Sequence, residues 1–193
     1  MTGTLERRAA MATLLEGRDD DLLVVPGLGS TTYDLAAAGD NDRNFYLWGA
    51  MGGAAMIGLG LALAQPDRRV AVITGDGEML MGMGALATIG IQQPRNLAVI
   101  VFDNGVYGET GGQQSHTGGG VDMGAVARGC RFGTCLEVTD EAGLADLAGR
   151  LKTLQSLLFA RVAIYPDEPP RVLPEKEGAV LKRRFRAALG LTP

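Results

Sequence analysis

The chain has 193 residues, the length of one ordinary domain rather than two. Hydrophobic residues make up 46% and charged residues 21%, which excludes a disordered chain and provides for a large core. The net charge of -4 argues against a general nucleic-acid binder.

In chain order, residues 5–16 (LERRAAMATLLE) predict a helix stopped by Gly17. The same N-terminal segment carries Glu6, Arg7, Arg8 and Glu16 and lacks the apolar centre of a signal peptide, so a cytoplasmic location is expected. Leu22–Val25 predicts a buried strand ended by Pro26-Gly27. Ser30 is a candidate cap for a short helix running to about Ala38. Phe45–Leu47 predicts a second strand. The run from Leu47 to Ala64 is uncharged and just reaches the length of a membrane span. Its five glycines and its ordinary flanks predict instead a helix buried on all sides. Arg69–Thr74 predicts a central strand, broken by Gly75-Asp76-Gly77, and Glu78–Gln92 predicts the next helix.

Leu97–Phe102 predicts another fully apolar strand, ended by Asp103-Asn104-Gly105. Gly105–Val121 holds seven of the chain's 29 glycines and no periodicity, so a long functional loop is expected. A short helix over Asp122–Arg128 and a strand over Thr134–Val138 follow. Thr139 is the candidate cap of a helix whose apolar face is Leu144, Leu147, Ala148, Leu151 and Leu154. Ser156–Ile164 predicts the last strand, and Glu177–Leu189 a basic amphipathic helix. That helix reads as packed on its own domain, with docking on a partner or a membrane as the other reading. Cys130 and Cys135 are too few for a cysteine-only metal site and read as reduced thiols. Gly82–Ala87 matches G-x-G-x-x-A but falls inside a predicted helix, which rejects it as a dinucleotide fingerprint. Apolar strands alternating with helices predict an α/β fold with three layers, α/β/α, around a mostly parallel sheet.

In such a sheet, ligands bind beyond the carboxyl ends of the strands. Two consecutive strands here end in Asp76 and in Asn104, both flanked by glycine. A carboxylate and an amide carbonyl are hard oxygen donors suited to Mg²⁺, which usually shares its shell with phosphate oxygens. The helix after Gly77 would direct free N–H groups at a diphosphate. The same residues also fit ordinary Asp-Gly and Asn-Gly turns, and spacing alone leaves both readings open.

Gly75-Asp76-Gly77, then 26 residues, then Asn104, resembles the thiamine diphosphate motif of the 2-oxo acid decarboxylase superfamily. The resemblance extends back to Trp48-Gly49-Ala50-Met51-Gly52 and forward through Val106-Tyr107-Gly108. The segments GALATIG and DNGVYGETGGQ are most similar to the sulfopyruvate and phosphonopyruvate decarboxylase subgroup. Many superfamily members have Asn-Asn where this chain has Asp103-Asn104, whereas that subgroup carries Asp. The resemblance covers about residues 20–165. It implies one diphosphate-binding domain over 1–193, with its core there and a helical tail near 175–190.

The resemblance also implies roles. Asp76, Asn104 and the Val106 backbone carbonyl would hold Mg²⁺. Gly77 and Glu78 would offer N–H groups to the diphosphate, with Gly75 and Tyr107 as further cofactor contacts. Met51 aligns with the bulky apolar residue that bends the cofactor, and Gly49 with the residue whose carbonyl receives its aminopyrimidine. Bending brings an internal base beside the reacting carbon at high effective concentration. His116, in the glycine-rich loop with Glu109, Thr110, Gln113 and Gln114, is the catalytic candidate, as a substrate-carboxylate or proton donor; an exposed loop histidine is the other reading.

The superfamily's activating glutamate lies on a separate pyrimidine-binding domain, for which this chain has no room. A heteromeric enzyme is therefore expected: an α subunit would carry that domain and its glutamate, in an α2β2 assembly or a multiple of it. The implied reaction is 3-sulfopyruvate to sulfoacetaldehyde and CO₂, with no activity from this chain alone. Phosphonopyruvate decarboxylation, carboligation as in acetolactate synthase, and a non-catalytic assembly role are the alternatives. Neither nucleic acid nor membrane is an expected partner.

Overall fold

The computed structural model describes residues 3–191. In chain order its elements are α1 (Arg7–Leu15), β1 (Leu22–Pro26), α2 (Ser30–Ala37), α3 (Ala54–Ala64), β2 (Arg69–Gly75), α4 (Asp76–Met81), α5 (Ala85–Gln92), β3 (Leu97–Asp103), β4 (Val106–Tyr107), β5 (Gln113–Gln114), α6 (Met123–Gly129), β6 (Thr134–Val138), α7 (Glu141–Lys152), β7 (Leu158–Ala163) and α8 (Gly178–Ala188).

Five strands form one sheet in the order β1-β2-β3-β7-β6, and every neighbouring pair is parallel. Alternate residues of each strand enter two separate cores, as the period of two requires. Val24, Ala71, Ile73, Ala98 and Ile100 join α1, α2 and α7 on one face. Leu23, Val25, Val70, Val72, Val99 and Val101 join α3, α5 and α6 on the other. Helix α8 contributes Leu181 to the first core and Phe185 to the second. Because both faces are covered, the strands read as unbroken apolar runs. Among the described residues no helix is long and apolar enough to cross a membrane.

Several predicted boundaries are corrected, each for a backbone reason. Phe45–Leu47 is not a strand: the segment meets β1 through a single bridge, Val24 with Asn44, and then turns at Trp48-Gly49. The apolar helix starts at Ala54, not Leu47, because Ala50 (φ 58) and Gly52 (φ 86) are left-handed. Glu78–Gln92 is two helices, α4 and α5. A Cβ on Gly82 would lie 2.0 Å from the Gly52 carbonyl oxygen, so the chain breaks where the two backbones meet. Helix α4 also begins two residues early, at Asp76. Ser30 lies inside α2, behind Gly29, and α7 is capped by Asp140 rather than Thr139. The glycine-rich stretch is not structureless: β4 and β5 pair antiparallel around a 3₁₀ turn over Gly108–Thr110.

Candidate active site

Strands β2 and β3 run in register, with Gly75 opposite Phe102, so Asp76 and Asn104 emerge side by side at the carboxyl edge of the sheet. Both line one cleft of about 150 Å³. Gly75, Gly77, Glu78, Met51, Val106 and Tyr107 line it too. The structure therefore brings together every predicted cofactor or metal residue except Gly49, which is exposed and outside the cleft. His116 is also exposed and outside it; its Nδ1 lies 2.7 Å from the Tyr107 hydroxyl, so it reaches the cleft only through that ring. Glu109 and Thr110 line the cleft, whereas Gln113 and Gln114 do not.

Asp76 is 3% exposed. Ser115 Oγ donates to its Oδ2 at 2.5 Å, and Thr117 Oγ1 lies 2.9 Å from the same oxygen. Thr117 Oγ1 also lies 2.8 Å from Asp103 Oδ1. Arg161 pairs with Asp103 through Nε and with Glu137 at 3.2 Å. Burial pushes the Asp76 carboxyl above the usual carboxylate range and the Asp103 charge adds to this, against the Ser115 hydrogen bond.

Glu78 faces the other way. Thr74 Oγ1 donates to its Oε2 at 2.6 Å and the Gly52 N–H to its Oε1 at 3.3 Å. A Cβ on Gly27 would lie 1.7 Å from the same Oε2. The buried side chain thus ties the Met51 turn, through Gly52, to Thr74 of β2, and its burial pushes its carboxyl pKa up. Met51 itself is 40% exposed at the mouth of the cleft. Its neighbour Trp48 donates its indole N–H to the Glu175 carbonyl at 2.7 Å. The Tyr107 ring lies on Gly77, where a Cβ would come within 2.7 Å. Any side chain at 77 would displace that ring from the wall of the cleft.

Sequence reasoning missed five contributors. Ser115 and Thr117 clasp Asp76. Ser30, Arg7 and Asp34 line the inner wall of the cleft. Arg7 Nε lies 3.1 Å from Asp34 Oδ2, and burial raises the Asp34 carboxyl. An Arg on α1 carries no local signal for this, because its partner is on another helix. Ser115 and Thr117 likewise carry no local signal, because only the folded β4–β5 hairpin brings them to Asp76.

These donors fit a hard divalent cation. Asp76 is a buried carboxylate held by hydroxyls, while the ion pairs among the described residues reach Asp103 instead. A cation at Asp76 would supply the charge its surroundings lack. Asn104 Oδ1 accepts the Val106 N–H at 3.0 Å and keeps a second lone pair. Among the described residues there is no group of three or more His, Cys, Asp or Glu suited to a metal. A single carboxylate with carbonyl oxygens instead suits Mg²⁺ shared with phosphate. The first N–H groups of α4, along Gly75–Glu78, have no carbonyl partner within the helix.

Comparison with known proteins agrees with this geometry. Residues 28–155 match the family model described as "Thiamine pyrophosphate enzyme, C-terminal TPP binding domain". The chain is 43% identical to sulfopyruvate decarboxylase subunit beta of Methanothermobacter thermautotrophicus, over 97% of this chain and 98% of that one. It is 38% identical to phosphonopyruvate decarboxylase of Streptomyces viridochromogenes, over 97% of this chain but only 47% of that one. The chain thus spans about half the length of the latter relative. Among solved structures, benzoylformate decarboxylase from Polynucleobacter necessarius superposes with a TM-score of 0.73 at 20% identity, covering 86% of this chain and 34% of that one. That likeness concerns the fold.

Proposed function

Because the chain belongs to the family of C-terminal TPP-binding domains of thiamine pyrophosphate enzymes, we propose that it is the diphosphate- and Mg²⁺-binding half of a heteromeric 2-oxo acid decarboxylase. Its substrate is 3-sulfopyruvate, cleaved to sulfoacetaldehyde and CO₂. The observation that carries this reading is the buried Asp76 carboxylate beside Asn104, in one cleft with Met51. The near end-to-end match to a sulfopyruvate decarboxylase β subunit supports the substrate. Phosphonopyruvate is the second reading, favoured by the 38% identity to an enzyme of that name.

When bound, the cofactor supplies the electron sink that lets CO₂ leave the 2-oxo acid. The chain's own residues bind and orient it. Asp76, the Asn104 amide oxygen and the Val106 carbonyl hold Mg²⁺. The backbone from Gly75 to Glu78 receives the diphosphate. Met51 would support the bound cofactor at the mouth of the cleft, and the Glu78 side chain keeps the Met51 turn in place from behind. Tyr107 closes the wall over Gly77 and shares a hydrogen bond with His116 Nδ1, which orients that hydroxyl.

The relative matched nearly end to end is named a subunit beta, and Met51 stands 40% exposed at the mouth of the cleft. This supports a site completed by an α subunit that carries the pyrimidine-binding domain and the activating glutamate. Glu78 is committed to Thr74 and Gly52 and is unavailable for that role. The uncrosslinked thiols of Cys130 and Cys135 support a reducing, cytoplasmic setting. The test is calorimetric titration of the co-expressed pair with thiamine diphosphate, with and without Mg²⁺, followed by CO₂ release from 3-sulfopyruvate and phosphonopyruvate. Mg²⁺-dependent binding and release from 3-sulfopyruvate are expected. Binding without release from either acid would leave a carboligase or a scaffold and refute the decarboxylase.

A further inference from the structure

We propose that Ser115 and Thr117 are positioning residues, which clasp one oxygen of Asp76 and hold the carboxylate turned toward a divalent cation in the cleft. The inference rests on the proposed function, in which Asp76 is a metal ligand.

Counting protons carries the argument. Asp76 Oδ2, Asp103 Oδ1, Ser115 Oγ and Thr117 Oγ1 are joined by contacts of 2.5, 2.8, 2.9 and 2.8 Å. The two hydroxyls bring one proton each. The short Ser115 contact commits its proton to Asp76. Thr117 then has one proton for Asp76, Asp103 and Ser115, so the two carboxylates compete for it, while the Gly105 N–H also donates to Asp103 Oδ1 at 2.9 Å and the Gly77 N–H to Asp76. Arg161 engages the other oxygen of Asp103. Asp76, Asp103 and Ser115 are each buried to 3% exposure or less, with the half-buried Thr117 at the edge of the cluster. The cluster is short of positive charge on the Asp76 side alone. A divalent ion there removes the competition, because Thr117 can donate to Asp103 while Ser115 keeps Asp76 aligned.

Both hydroxyls approach Oδ2, so the clasp also decides which oxygen is occupied from behind. Hydrogen bonds behind a ligating carboxylate fix its direction, and losing them typically costs about 10–100-fold in metal affinity. The loop that carries the clasp has its own backbone support: Ser115 N–H donates to the Gly105 carbonyl at 2.8 Å and Gly119 N–H to the Ser115 carbonyl at 3.0 Å. Removing a hydroxyl therefore leaves the loop standing.

The test uses Thr117→Val, Ser115→Ala and Thr117→Ser in the chain co-purified with its partner. Mn²⁺ replaces Mg²⁺, and free ion is read by electron paramagnetic resonance in the presence of thiamine diphosphate. Thr117→Val and Ser115→Ala should raise the Mn²⁺ concentration for half-saturation by about 10–100-fold, while the metal-free protein stays folded, its thermal midpoint lowered by only the few degrees that one lost hydrogen bond brings. Thr117→Ser, which restores the hydroxyl, should bind as the wild type does. Wild-type half-saturation in both deletions overturns the inference. So does loss of the folded metal-free state in both deletions, which marks a structural role. Should Thr117→Val fail to fold, Ser115→Ala decides. Wild-type protein that takes up neither Mn²⁺ nor cofactor refutes the proposed function itself; normal wild-type uptake with unaffected variants refutes this inference alone.

Discussion

Asp76 is a charged group in a nearly dry place, which makes it costly until a cation arrives. Asp76→Asn keeps the shape and removes the charge. Mg²⁺-dependent cofactor binding should then fall by more than the ~10–100-fold expected for loss of a supporting residue. The cofactor-free protein should gain on the order of 1 kcal/mol, or ~2–4 °C in its thermal midpoint. Calorimetry of both states checks the opposed signs. Met51→Ala tests the support at the other end of the cleft. At 40% exposure its loss should move stability by no more than about 0.5 kcal/mol. Turnover of the assembled enzyme should fall by up to about 100-fold through misplacement of the reacting atoms, read as kcat against KM. Asp76 and Asn104 were legible in the sequence because each closes an apolar strand beside a glycine. Ser115 and Thr117 were not, since their partner lies 39 and 41 positions away and only the folded hairpin brings them to it.

The strands β1, β2, β3, β6 and β7 were legible because a sheet covered on both faces needs uninterrupted apolar runs. What the sequence hid were breaks caused by one backbone meeting another. Gly82 looks like any glycine in an alanine-rich helix, yet it ends α4 because the Gly52 turn presses on it. The same crowding sets the height of Met51 over the cleft. Gly82→Ala should destabilise the chain by about 1–3 kcal/mol through overpacking, visible as a lower denaturant midpoint. Gly84→Ala, with open space at its Cβ position, is the control expected to be near neutral. The β4–β5 hairpin escaped notice for a different reason. Its strands are two residues each, too short for a period to register, and glycine dominates what surrounds them.

At the scale of the molecule, the proposed function makes this cleft one wall of a site that a partner completes. Purified by itself, the chain should release no CO₂ from 3-sulfopyruvate at any Mg²⁺ concentration, and addition of the pyrimidine-domain partner should restore release. Measurable release by the lone chain would end the half-site reading. The type of domain was legible from motif content, because Gly75-Asp76-Gly77 and Asn104 stand at the spacing the resemblance rests on. The shape of the open side was not, since it depends on how the Met51 turn and the hairpin stand over the sheet. That turn also carries a practical gift. The chain holds a single tryptophan, Trp48, tethered at its indole nitrogen and separated from Met51 by two residues. Tryptophan emission from the unmodified chain, excited beyond the tyrosine band, therefore comes from one known place, and ligand arrival at the neighbouring mouth can be followed optically without a dye.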